Sequence, residues 1–154
     1  MNAMATSLIA VLGTLLGSVV THAFQQRAAR RTEQNALEAQ RRQERLDAYG
    51  AYAGLLVEFR QAMLHHWFCV HQGRDGEDEA ALRRRSFETR ANTQQALFRL
   101  QLITDDPDLG AAAVEAFTAV GAIDRAQDLA ALVTRRDTTR ELIDTFVTTA
   151  RRCV

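Results

Sequence analysis

Lysine is absent from this chain: all nineteen basic residues are arginine. That excludes Schiff-base chemistry, a P-loop lysine and a Ser-x-x-Lys nucleophile pair, while every basic position keeps a permanent charge and a planar donor fork. Proline occurs once and cysteine twice. Nothing therefore interrupts long helices except the single Pro107, and no disulfide framework of the kind that staples small secreted domains is encoded. Cys69 and Cys153 are expected to be free thiols. Aromatic residues make up 6% of the chain, and only one serine, Ser86, lies beyond residue 24. No strand-period alternation flanked by hairpin turns occurs, so the fold class reads as all-α.

What is present begins with a long uncharged stretch. Ala3–Phe24 (AMATSLIAVLGTLLGSVVTHAF) carries no charged side chain, and its length approaches the ~20 residues that a helix needs to cross a bilayer. The expectation is a transmembrane helix at 3–24. Gly13, Gly17 and Thr21 repeat at four-residue spacing, a small-xxx-small face suited to a homodimer through that helix. The first charges after it, Arg27, Arg30 and Arg31, are positive and predict contact with membrane lipid. They also predict an outside N-terminus, with the C-terminal domain cytoplasmic at the cell membrane in a single-pass arrangement. The absence of a charged n-region argues against a cleaved signal peptide.

Residues 25–45 (QQRAARRTEQNALEAQRRQER) hold six Arg against Glu33, Glu38 and Glu44. Good helix formers fill the segment and large apolar residues are nearly missing, which predicts a solvated basic helical stalk with an i,i+4 pair between Glu38 and Arg42. From Leu46 the balance reverses, and the whole chain has a formal net charge of zero. A zero total with no basic stripe on the folded part argues against nucleic acid as a partner.

The remainder, 46–154, predicts an antiparallel bundle of about four helices. Leu46, Tyr49, Ala53, Leu56, Met63, Trp67 and Val70 alternate by three and four, with Tyr52, Leu55 and Phe59 widening the stripe. Gln72-Gly73-Arg74-Asp75-Gly76 ends that helix, and Asp75 or Glu77 opens the next, which carries Leu82, Phe87, Ala91, Leu97, Phe98 and Leu102 as its apolar positions. Asp106 with Pro107 marks a third helix start, with Leu109, Ala113, Ala116, Phe117, Val120 and Ile123 facing inward. Asp128 or Thr134 caps a last helix bearing Leu129, Leu132, Leu142, Ile143, Phe146 and Cys153.

The one cluster of metal-type ligands is His65-His66-Trp67-Phe68-Cys69-Val70-His71. His65 with Cys69, or His66 with Cys69, can share a helix face at a spacing compatible with zinc or haem iron. A third and fourth ligand are missing, so the bland reading is a helix end whose imidazoles suit its dipole. Arg83-Arg84-Arg85-Ser86 has the form of a basophilic kinase site, or of a solvated basic face. No Glu-x-x-His pair for a di-iron site occurs. No catalytic residue, cofactor or metal site is expected, and the function read from the residues is a membrane-tethered, non-catalytic helical interaction or regulatory module with an unknown protein partner. The alternative is a small-ligand or metal sensor whose site lies in the bundle.

The succession GTLLGS, FQQRAARR, AQRRQERLDAYGAYA, an Arg-rich helix pair and a DPDL helix start resembles a set of small membrane-anchored actinobacterial proteins of unknown function. The resemblance covers most of the chain, with QRRQERLDAYGAY its most specific part. It implies an N-terminal transmembrane helix with a cytoplasmic helical domain, and no activity.

Overall fold

A computed structural model describes the backbone of residues 2–73 and 78–154, with side chains described at 25, 26, 30–73 and 78–154. Among the described residues the chain is entirely helical: α1 (Asn2–Gln72), α2 (Glu79–Ile103), α3 (Pro107–Gly121), a 3-10 turn (Ile123–Arg125) and α4 (Leu129–Ala150). Contacts divide it into two compact units, residues 1–42 and 43–154.

In the first unit the described side chains are exposed, and they include Arg30, Arg31, Glu33, Glu38, Arg41 and Arg42. No helix among the described residues is long and apolar enough to cross a membrane, and the expected membrane-spanning, single-pass segment is corrected on that ground. Where the side chains of α1 are described, a charge recurs every few residues, and further along the apolar residues form one stripe that enters a protein core. Ala3–Phe24, with Gly13, Gly17 and Thr21, lies outside the residues whose side chains are described, as does Arg27.

In the second unit α1 supplies the centre of the core. Tyr52, Leu56, Phe59, Met63 and Trp67 are buried, as are Leu109, Ala113, Ala116 and Val120 of α3 and Leu132, Ile143 and Phe146 of α4. Tyr52 meets Phe146 edge-on at 5.1 Å and Phe59 lies 5.8 Å from Phe117. Pairings run in opposite order between α1 and α4, where Tyr52 meets Phe146 and Arg60 meets Thr139. They run in the same order between α1 and α3, where Tyr52 reaches Ala113 and Phe59 reaches Phe117. The helices therefore alternate in direction, as short connections require.

Asp side chains start all three later helices. Asp78 Oδ1 accepts from the amides of Ala80 and Ala81, Asp106 Oδ1 from those of Asp108 and Leu109, and Asp128 Oδ1 from that of Ala131. The cap of α2 is thus Asp78, whereas the expected Asp75 and Glu77 fall outside the described residues. Thr134 lies inside α4 and donates to the carbonyl of Ala130. Gly73 follows α1 at φ +53°, a left-handed conformation that glycine adopts without steric cost.

Two substitutions test this core. Phe146→Ala should lower unfolding free energy by about 3–5 kcal/mol. Tyr52→Phe, which removes only a buried hydrogen bond, should lower it by ~1 kcal/mol. Urea unfolding followed by far-ultraviolet circular dichroism measures both, and equal effects would show that aromatic packing is not the larger contribution.

Candidate interaction surface

The sequence-predicted ligand cluster does not assemble into a centre. His65 and His66 are half-buried and line two different grooves, one with Gln61, Leu82 and Arg85, the other with Met63, Arg83 and Arg90. Cys69 is buried. Among the described residues no group of three or more His, Cys, Asp or Glu side chains is placed to hold a metal ion. His71 instead stacks on Trp67 at 4.2 Å in the last turn of α1, with Nδ1 3.0 Å from the Trp67 carbonyl. Ser86 is buried and donates to the Leu82 carbonyl, so the kinase-like run presents three exposed arginines and no hydroxyl.

The groups with displaced titration serve the scaffold. Tyr52 is fully buried and donates to the Ala113 carbonyl at 2.7 Å, and burial pushes its phenol well above the usual range. Arg60 reaches α4, where Nε donates to Thr139 Oγ1 and Nη2 to the Arg136 carbonyl, each at 3.0 Å. Burial, then Arg136 and Arg140, lower its pKa, and Asp137 opposes them. At the far end of the bundle the Cys153 thiol lies 3.3 Å from Asp106 Oδ2 and 3.4 Å from the Thr149 carbonyl. Burial and the Asp106 carboxylate raise the thiol's pKa, while the Leu109 amide and then the thiol lower that of Asp106.

A surface feature that sequence periodicity did not orient is on α2. Thr93, Leu97 and Leu100 face the core, and Thr93 Oγ1 is satisfied by the carbonyls of Leu55 and Thr89. Of the apolar positions of this helix, Phe87, Phe98 and Leu102 are 61%, 53% and 86% exposed, and Ala91 is exposed with them. Ser86 and Thr93 occupy inward positions that an apolar-stripe count rejects. A legible signal existed: α2 carries more apolar side chains than one inward face can bury. The outward side also bears Arg84, Arg99 and Glu88, all exposed, whereas Arg83 and Arg90 line a groove against α1 and Arg90 lies over the Phe117 ring at 5.6 Å. Leu46 and Val70 of α1 and Leu129 of α4 are likewise exposed.

A four-helix bundle with a satisfied polar interior and an apolar outer stripe defines a helical scaffold class. Residues 46–154 match the family model described as KilB plasmid transfer protein, and the chain belongs to that family. The match carries neither actinobacterial origin nor membrane anchoring. No curated protein and no solved structure matches the chain.

The Asp106 clasp has a pH consequence. A carboxylate whose folded-state pKa is depressed contributes stability that is present above its ordinary value of 3.8 and is lost as pH falls through the folded value. Urea midpoints measured from about pH 5 to about pH 2 should fall more steeply for the wild type than for Asp106→Asn, whose capping oxygen does not titrate. Parallel curves would show that Asp106 takes no part in acid sensitivity.

Proposed function

We propose that this chain is a non-catalytic helical interaction module that acts in plasmid transfer and presents the outer face of its bundle to a protein partner. The observation that carries the reading is the stripe of Phe87, Phe98 and Leu102, large apolar side chains that α2 holds in solvent on the side away from the core. Such an alignment contributes little to folding of the single chain, whereas burial against a partner gains about 25 cal/mol for each Å² of apolar surface covered. The family description supplies the process. The inner polar groups support a structural reading, because Tyr52 and Arg60 spend their donors on fixing one helix against another, and Thr139 accepts from Arg60 across the same contact.

The small-ligand alternative rests on one observation, a groove of about 390 Å³ between α1 and α2 where Phe59, Met63 and Val70 lie beside His66, Arg83 and Arg90. Its openness to solvent and its mixed charge, with Glu79 and Asp124 on the same lining, make it the second choice.

In cells carrying the plasmid, Phe98→Glu combined with Leu102→Glu should reduce transfer frequency by about tenfold or more, the loss expected when central apolar anchors are removed. Helix content and the urea midpoint of the purified variant should match the wild type, since both side chains are exposed. Unchanged transfer would overturn the proposal.

A further inference from the structure

We propose that the outer face of α2 is occupied by a second copy of this chain, packed antiparallel on α2 about a two-fold axis near Gln94 and Gln95. The inference rests on reading that face as an interaction surface, and it names the occupant.

Phe87, Ala91, Phe98 and Leu102 are separated by four, seven and four positions, so they form one stripe along α2. The stripe lies opposite the side that carries Thr93, Leu97 and Leu100 into the core. A two-fold contact uses the same patch on both copies, so the patch must complement itself. Antiparallel pairing about Gln94 and Gln95 meets that condition. Ala91 of each copy faces Phe98 of the other, a small side chain opposite a large ring, and Phe87 faces Leu102. The same register brings Glu88 within one turn of Arg99, and both are exposed. This charge pair occurs twice by symmetry.

Neighbouring arrangements lose this match. A shift of one turn sets Leu102 against Arg83, or in the other sense carries Phe87 beyond the end of α2 at Ile103. Parallel packing sets Ala91 on Ala91, which leaves a gap, and Arg84 on Arg84, which repels. Exposed ion pairs contribute orientation more than affinity, so the apolar stripe supplies the attraction and the charges select the register. From Phe87 to Leu102 the stripe is about 22 Å long. A single helix pair of that length is smaller than a standard interface of ~800 Å² per partner, which points to reversible association with a Kd of about 10 µM.

The test uses the full chain in a Cys153→Ser background, with Gln94→Cys and, separately, Leu102→Cys, treated with a bismaleimide of about 8 Å span. This reagent matches the close approach of two packed helices. Gln94→Cys should give a crosslinked dimer, because residue 94 lies beside the axis. Leu102→Cys should give none, because its two copies lie at opposite ends of the contact. Crosslinking at both positions would mean parallel packing and overturn the proposal, as would crosslinking at neither.

Sedimentation of the uncrosslinked full chain provides a second readout. Glu88→Arg should weaken association about fivefold, as expected for two exposed pairs broken by symmetry, and Glu88→Arg with Arg99→Glu should restore it. Failure of the swap to restore association would overturn the register. If the wild type is monomeric up to about 100 µM while Phe98→Glu with Leu102→Glu still abolishes plasmid transfer, self-association is overturned and the interaction reading stands with a different protein. If transfer is also unaffected, both fall.

Discussion

Complete burial of the Tyr52 ring obliges its hydroxyl to find an acceptor inside the bundle, and the register of α3 against α1 follows from that requirement. An unsatisfied buried hydroxyl costs on the order of 1–3 kcal/mol, more than most single contacts return. The Ala113 carbonyl meets the need at 2.7 Å. Two turns further along Phe59 meets Phe117, and two turns beyond that Trp67 Nε1 donates to the Ala126 carbonyl at 2.8 Å. The two bonds grip the middle of α3 and the connection to α4 from the same helix. Phe146 then closes on the ring of Tyr52 from α4. One helix thus locates the others through side chains whose apolar bodies fill space and whose polar tips permit a single register.

Polar residues within the interior extend the same logic to α2 and α4. Thr93 and Thr139 are almost fully buried, and each uses its hydroxyl across a helix contact, Thr93 toward the Leu55 carbonyl and Thr139 as acceptor for Arg60. Arg60 tolerates partial burial because a hydroxyl and the Arg136 carbonyl take its donors while much of the guanidinium keeps solvent contact. The consequence for α2 is an inner face where Ser86 and Thr93 stand among Leu97 and Leu100, and an outer face that also carries the large apolar side chains Phe87, Phe98 and Leu102. Association is the proposed use of that outer face.

Helix starts were legible residue by residue. Asp106-Pro107 and Asp128 state their role in the local chain, because a cap needs only a short side chain and the amides two and three positions ahead. The inward face of α3 was equally plain, since Leu109, Ala113, Ala116, Val120 and Ile123 keep helical spacing with no polar competitor. The face of α2 was not. The apolar positions Leu82, Phe87, Ala91, Leu97, Phe98 and Leu102 were legible, but hydrophobicity alone says that a face seeks burial and does not say against what.

The sequence by itself therefore determined the helices of the second unit, the starts of α3 and α4 and many of the residues able to form a core, since propensity, capping and spacing act within a few residues of one another. Only the tertiary structure decided which of two apolar faces of α2 turns inward, that Arg60 spans to α4, and that His65, His66 and Cys69 part to separate surroundings. Those outcomes depend on acceptors supplied from distant positions: the Leu55 carbonyl for Thr93 and the Thr139 hydroxyl for Arg60. A buried polar atom selects its place by the partner it finds across the bundle, and that partner is not written near it in the chain.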